Sequence, residues 1–160
     1  MSRSDRIDAL DARLLREFAA APRVGVLELS RRLGVARATV QSRLDRLVER
    51  GVIDDFAPRL STEALGYDVT AFATLEIRQG RGQDVLDHLS GIPEVLEVHT
   101  ITGLGDMLCR IVARSNSDLQ QVIDSVVGHD AIVRTSTSVA MSNPIGFRVL
   151  PLVQLDESER

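Results

Sequence analysis

The apolar residues of this chain change their spacing at Val69. Before that point they recur every three or four positions. From Val69 onward, Val69, Ala71, Ala73, Leu75 and Ile77 alternate with Thr70, Phe72, Thr74, Glu76 and Arg78. The first spacing lays one apolar stripe along a helix of 3.6 residues per turn, and the second gives an extended strand one apolar face. A helical front and a strand-bearing back predict an α+β chain built in two parts.

In the front part, Ile7, Leu10, Leu14, Leu15 and Phe18 predict a helix over about 9–20, with Asp8 as N-cap and Asp11 in the first turn. Pro22 and Gly25 punctuate it, and a short helix over about 26–33 follows, burying Leu29 and Leu33. Gly34 ends that helix. After the turn Gly34-Val35-Ala36, a third helix over about 37–50 carries Val40, Leu44, Leu47 and Val48 on one face, and Gly51 stops it. Two helices joined by a tight turn and held to another by an apolar face are what a helix-turn-helix requires if its last helix is to enter the major groove. Val52, Ile53, Phe56 and Leu60 read as a short extended wing, which Pro58 confines to an edge. Residues 1–60 are therefore expected to form a winged helix-turn-helix, with 61–68 as linker.

Behind the linker, Gly80 and Gly82 end the first strand and Val85, Leu86 and Leu89 mark a helix that closes near Pro93. Two strands over about 95–101 and 107–113 flank the turn Gly103-Leu104-Gly105-Asp106, and Ser115-Asn116-Ser117 offers N-caps to a helix with Leu119, Val122, Ile123 and Val126. A last strand runs from Ile132 to Met141. The order βαββαβ predicts a ferredoxin-like sandwich over 69–153, leaving 154–160 as a polar tail.

The formal net charge of −4 argues against a nucleic-acid partner only if it is evenly spread. Residues 1–60 hold 12 arginines against 9 acids, and residues 61–160 hold 7 against 14, so the positive balance lies in the helical front. Lysine is absent. Guanidinium forks suit phosphates, although a GC-rich genome produces the same bias. Cys109 is the lone cysteine, which excludes an intramolecular disulfide and a cysteine zinc cluster; inside an apolar strand it reads as a small hydrophobe. His88, His99 and His129 lack metal-site spacing, and there is no nucleophile motif, phosphate loop or paired-carboxylate arrangement. Neither a membrane-spanning stretch nor a signal-peptide core is visible, so the expectation is a cytoplasmic protein with no catalytic, metal or cofactor site and no membrane partner.

Four stretches, Ile7-Asp8-Ala9-Leu10-Asp11 with Leu14-Leu15, Glu28 to Val35, Arg43-Leu44-Asp45-Arg46-Leu47 with Gly51-Val52-Ile53, and Thr102-Gly103-Leu104-Gly105-Asp106 with Leu108, stand in the order and spacing of a known family. With Leu65-Gly66 at the junction, the chain resembles the Lrp/AsnC, or feast/famine, regulators from about residue 5 to 150. That resemblance implies a sequence-specific transcriptional regulator that binds double-stranded DNA. It also implies homodimers that assemble into tetramers or octamers and hold a small effector, an amino acid, between C-terminal domains. Two positions depart from the family pattern. Ala36-Arg37 stands where the recognition helix usually opens with Ser-Pro, removing a side-chain cap. Gly105 stands where an aromatic residue usually precedes the aspartate, which predicts more space or more backbone freedom beside a ligand.

Helix position divides the expected DNA contacts. Arg37, Thr39, Gln41 and Ser42, in the first half of the recognition helix, are expected at base edges, where arginine forks onto guanine and glutamine onto adenine. Arg31, Arg32, Arg43 and Arg46 are expected at phosphates. Each, taken singly, reads equally well as a solvated surface side chain. Gly103, Leu104, Gly105 and Asp106 read alone as a hairpin turn; the resemblance implies instead backbone N–H groups for a carboxylate and Asp106 for an ammonium. Thr135, Ser136 and Thr137 read either as added hydroxyls for that effector or as the polar face of an edge strand. Two other functions compete: a metabolite-binding module whose head no longer binds DNA, favoured by the missing Ser-Pro start, and an enzyme with a ferredoxin-like catalytic half, which lacks a nucleophile and base.

Overall fold

The computed structural model describes residues 7–153. It divides into two compact units. One holds the described residues up to Pro58 together with those from Ile145 onward, and the other is Arg59–Pro144.

The first unit contains α1 (Ala9–Ala20), α2 (Val26–Leu33) and α3 (Arg37–Glu49). Each begins and ends where local chemistry dictates. Asp8 caps α1 in a capping box, its carboxylate accepting from the Asp11 N–H at 2.8 Å while the Asp11 carboxylate accepts from the Asp8 N–H at 3.3 Å. Gly34 closes α2 in the left-handed region at φ 69°, and the following Val35 N–H donates to the Ser30 carbonyl. A glycine there lets the chain reverse within three residues, so that α3 starts at Arg37 without a side-chain cap. Leu14, Leu29, Leu33, Val40, Leu44 and Leu47 form the buried cluster, with Ile7, Leu10, Leu15, Phe18 and Ile53 packed around it. Val48, expected on this face, is exposed.

No strand forms between Gly51 and Leu60, so the expected extended wing is absent from the structure. Val52 and Ile53 instead donate their N–H groups to the Leu47 carbonyl, closing the end of α3, and Phe56 meets Phe18 edge-on at 5.5 Å between ring centroids. A lone extended segment has no ladder partner here and is used as a helix stop. The segment from Ile145 groups with this unit, whereas the element order predicts residues up to 153 in the other. The short 3₁₀ turn Leu150–Leu152 lies against α1, and the Val153 carbonyl accepts from the Arg16 guanidinium at 2.5 Å. No periodicity marks that return. The expected tail over 154–160 lies outside the described residues.

The second unit contains β1 (Val69–Ile77), α4 (Gly82–Ser90), β2 (Val95–Thr100), β3 (Met107–Ala113), α5 (Asn116–Val127) and β4 (Ile132–Val139), after a 3₁₀ turn at Glu63–Leu65. All strand pairs are antiparallel and the sheet order is β2-β3-β1-β4, the ferredoxin-like arrangement that the element order predicts. On one sheet face Ala71, Ala73, Leu75, Met107, Cys109, Ile111 and Ala113 meet Val85 and Leu89 of α4 and Leu119, Val122 and Val126 of α5. Three alanines among the sheet residues let the helices approach closely. Ser115 caps α5, accepting from the Asp118 N–H at 3.1 Å. Burial pushes the Cys109 thiol up to about 11, as befits a packed hydrophobe rather than a reactive thiol. Among the described residues no helix is long and apolar enough to cross a membrane, and no group of three metal-binding side chains exists.

Candidate nucleic-acid interface and ligand depression

The outward face of α3 is a shallow surface lined by Ala38, Gln41, Ser42, Asp45, Arg46 and Glu49. Its two halves differ. Arg37, Ala38, Gln41 and Ser42 in the first half are exposed, Thr39 is half-buried, and the second half adds the carboxylates of Asp45 and Glu49. The first N–H groups of α3 have no intrahelical partner and, with Ala36 as N-cap, no side chain caps them; the positive end of the helix dipole lies at this turn, which Arg37 opens. Arg37 makes no hydrogen bond or ion pair with any described residue. Gln41 donates its amide to Asp45 at 2.8 Å.

The four arginines expected at phosphates are not alike. Arg31 is the most exposed and reaches Glu28 only at 3.7 Å. Arg32 pairs with Glu28 at 3.2 Å and Glu17 at 3.4 Å. Arg43 is turned away from solvent: its Nη1 reaches both Asp8 oxygens, at 2.7 and 2.5 Å, and Asp11 Oδ1 at 2.8 Å. Arg46 donates Nη2 to the two Asp11 oxygens at 3.1 and 2.9 Å, yet it also lines the outward face. Asp11 is fully buried. Burial pushes the Asp8 carboxyl up, but the Arg43 hydrogen bond, the Asp11 N–H and the charges of Arg43 and Arg46 together hold it below its ordinary value. Reading the sequence for DNA contacts missed this cluster. Its one visible signal is matched spacing, acids at 8 and 11 and arginines at 43 and 46, each pair one helical turn apart.

In the sheet unit, Gly103 and Gly105 adopt φ 110° and 115°. The space expected at Gly105 is not there. A Cβ would overlap Thr74 Cγ2 and stand 3.2 Å from the Leu75 carbonyl oxygen, so glycine is demanded by both conformation and packing. The Asp106 N–H donates to that same Leu75 carbonyl at 2.8 Å, and its Oδ2 accepts from the Ile77 N–H at 2.8 Å. The second bond falls where the pairing of β1 with β4 shifts register between Glu76 and Ile77, and it supplies a partner to a donor beside that irregularity. Around this point lie two depressions. One, of about 400 Å³, is lined by Glu76, Ile77, Gly103, Leu104, Gly105, Asp106 and Val133. The other, of about 560 Å³, is lined by Ile77, Arg78, Gln79, Gly80, Gly82, Thr100, Asp106 and Met107.

Thr135, Ser136 and Thr137 line neither depression. Thr135 and Thr137 lie opposite Leu75 and Ala73, on the face that carries the core, and their hydroxyl oxygens are buried without a hydrogen-bond partner. Ser136 lies opposite Thr74 on the other face. Strand alternation therefore divides the expected hydroxyl trio between two sides of the sheet.

Residues 7–48 match the AsnC-type helix-turn-helix domain, and residues 70–150 match the Lrp/AsnC ligand binding domain. The chain belongs to the Lrp/AsnC family. Among its relatives, the HTH-type transcriptional regulator FL11 of Pyrococcus furiosus is 30% identical over 135 residues, 84% of this chain and 89% of that protein. The structure of AsnC from E. coli superposes with a TM-score of 0.84 at 28% identity, covering 91% of this chain and 99% of that one. The feast or famine regulatory protein from M. tuberculosis, solved complexed with L-methionine, gives a TM-score of 0.80 at 26% identity, covering 90% and 98%. This Lrp/AsnC chain is accordingly a transcriptional regulator with a helix-turn-helix and a ligand-binding domain, and not an enzyme.

Proposed function

We propose that this regulator binds double-stranded DNA sequence-specifically through the first half of α3 and answers to a free amino acid held beside Asp106. The observation that carries the DNA half is the uncapped, exposed start of α3, where Arg37 has no partner among the described residues and Gln41 and Ser42 share the outward face. Arg37, Thr39, Gln41 and Ser42 contact base edges; Arg31, Arg32 and Arg46 contact phosphates.

For the effector, the Gly103–Asp106 turn offers a carboxylate whose Oδ2 is engaged by Ile77 while Oδ1 makes no hydrogen bond with a described residue. An ammonium bound there leaves the Ile77 bond intact. The depression of about 400 Å³ is large enough for an amino acid. The methionine complex of the M. tuberculosis relative supports this class of ligand. The open sheet face, where Phe72 is exposed opposite Arg110, packs against a second copy, and further association gives tetramers or octamers. Ligand shifts the equilibrium among these assemblies, and through it operator affinity, because it binds one assembly better than another.

Calorimetry with single amino acids, paired with sedimentation, tests this reading. At least one amino acid binds, shifts the oligomer distribution, and loses roughly ten- to a hundred-fold in affinity in Asp106→Ala, as expected for a charge-assisted hydrogen bond of about 1.5–3 kcal/mol. Unchanged affinity in the variant, or binding with no effect on assembly or DNA, contradicts it.

A further inference from the structure

A buried carboxylate against the recognition helix needs an explanation that packing does not give. Asp11 is fully buried, and removing a carboxylate from water is unfavourable unless cations and hydrogen bonds replace its hydration. The Asp8 N–H supplies one hydrogen bond; both cations come from α3, and they are unequal. Arg43 spends its Nη1 on three carboxylate oxygens of Asp8 and Asp11 and lies largely out of solvent. Arg46 uses Nη2 alone, hydrogen-bonded to Asp11 and 3.8 Å from Asp8, while its Nε and Nη1 make no hydrogen bond with a described residue and its side chain is 45% exposed on the outward face.

We infer that Asp11, with Asp8, is a positioning pair for DNA recognition: it fixes α3 through Arg43 and presents the outer edge of Arg46 to the DNA backbone. This rests on the proposed use of α3. Leucine and valine side chains hold α3 in place but tolerate a small roll, whereas hydrogen bonds to a guanidinium fork are directional and fix it. The capping box ties both carboxylates to the first turn of α1, where the helix dipole favours negative charge, so the pair is itself rigid. Arg46 then meets a phosphate with its side chain already ordered, and less conformational freedom is lost on binding. Arg43 acts behind it and touches no DNA. This reassigns Arg43 from phosphate contact to positioning.

The test uses the full chain and a duplex recovered by selection from a random library, with anisotropy titrations at several salt concentrations on variants whose unfolding curves show them folded. Arg46→Gln lowers the salt slope by about one, because a phosphate contact is lost. Arg43→Gln weakens binding several-fold with the slope unchanged. Asp11→Asn weakens the selected duplex about tenfold and narrows its advantage over a scrambled duplex, which a merely stabilising role does not do in a folded variant. Should Asp11→Asn fail to fold, Asp8→Asn retains a good N-cap and removes one of the two carboxylate charges that Arg43 pairs with; it shows the same loss, smaller. Wild-type affinity and selectivity in a folded Asp11→Asn protein, or a slope reduced by one in Arg43→Gln, overturns the positioning role while leaving the DNA reading intact. A wild-type chain that selects no duplex removes that reading, and this inference with it.

Discussion

The helical head and the Gly103–Asp106 end of the sheet, the proposed ligand end, solve the same problem with different materials. Both must hold polar groups at a surface in a fixed arrangement. In the head the groups are long guanidinium side chains, and their geometry is set by ion pairs between α1 and α3 around buried Asp11. At the ligand end they are backbone groups, set by two left-handed glycines and a carboxylate that bonds to Ile77 beside the irregular pairing of β1. An arrangement built on charges is sensitive to salt, pH and charge-neutralising substitutions. One built on backbone is sensitive to a single added carbon.

Gly105→Ala is the largest expected break in the ligand end. It forces a methyl into Thr74 and the Leu75 carbonyl at φ 115°, and a strained backbone position alone costs about 1–3 kcal/mol. Urea unfolding should show a loss at or above the top of that range. Gly103→Ala, at φ 110° but with open space around it, isolates the conformational part and should cost less. Equal costs at both positions would mean that the packing against β1 contributes nothing.

In the head, Arg37→Ala and Gln41→Ala should flatten sequence preference, each by about 1–3 kcal/mol between the preferred and a substituted base pair. Arg32→Ala should weaken all duplexes alike and lower the salt slope by about one. Competition titrations against duplexes changed at one position distinguish these. A change of preference in Arg46→Ala with none in Arg37→Ala would reverse the orientation of α3.

A smaller effect concerns acid. The Asp8 pKa is lower folded than unfolded, so its stabilisation is fully present above the ordinary carboxylate value of about 3.9 and fades as pH falls through the folded value. Asp8→Asn should therefore lose stability near pH 7 and converge on the wild type as the pH falls through the folded value. A constant difference across that range would show that the Arg43 pairing is not what Asp8 contributes. The smallest effect is at Cys109, whose raised pKa and burial predict no alkylation of the folded chain at pH 7 and rapid alkylation in urea.

How much of this was legible depended on whether the controlling partner lay nearby in the chain. The bounds of α1, α2 and β1 follow from Asp8, Gly34 and the period change at Val69, all local signals. The sheet order follows from the element order because few topologies satisfy it. What failed was tertiary. Arg43 reads as a surface cation until Asp8, 35 residues away, is placed beside it. Gly105 reads as a roomy loop position until it is laid across Thr74. Val52 to Leu60 has strand-like residues but no partner strand. The division of Ser136 from Thr135 and Thr137, by contrast, was already present in the two-residue period of β4 and needed no structure to see.

Selection of duplexes from a random library by the full chain, with and without each amino acid, tests the central claim most directly. A regulator of the proposed kind enriches a pseudo-palindromic site with half-sites about one helical turn apart, as the proposed two-fold dimer requires, and at least one amino acid changes its affinity for that site. Retention of all duplexes without preference, or a selected site whose affinity no amino acid alters, would contradict it.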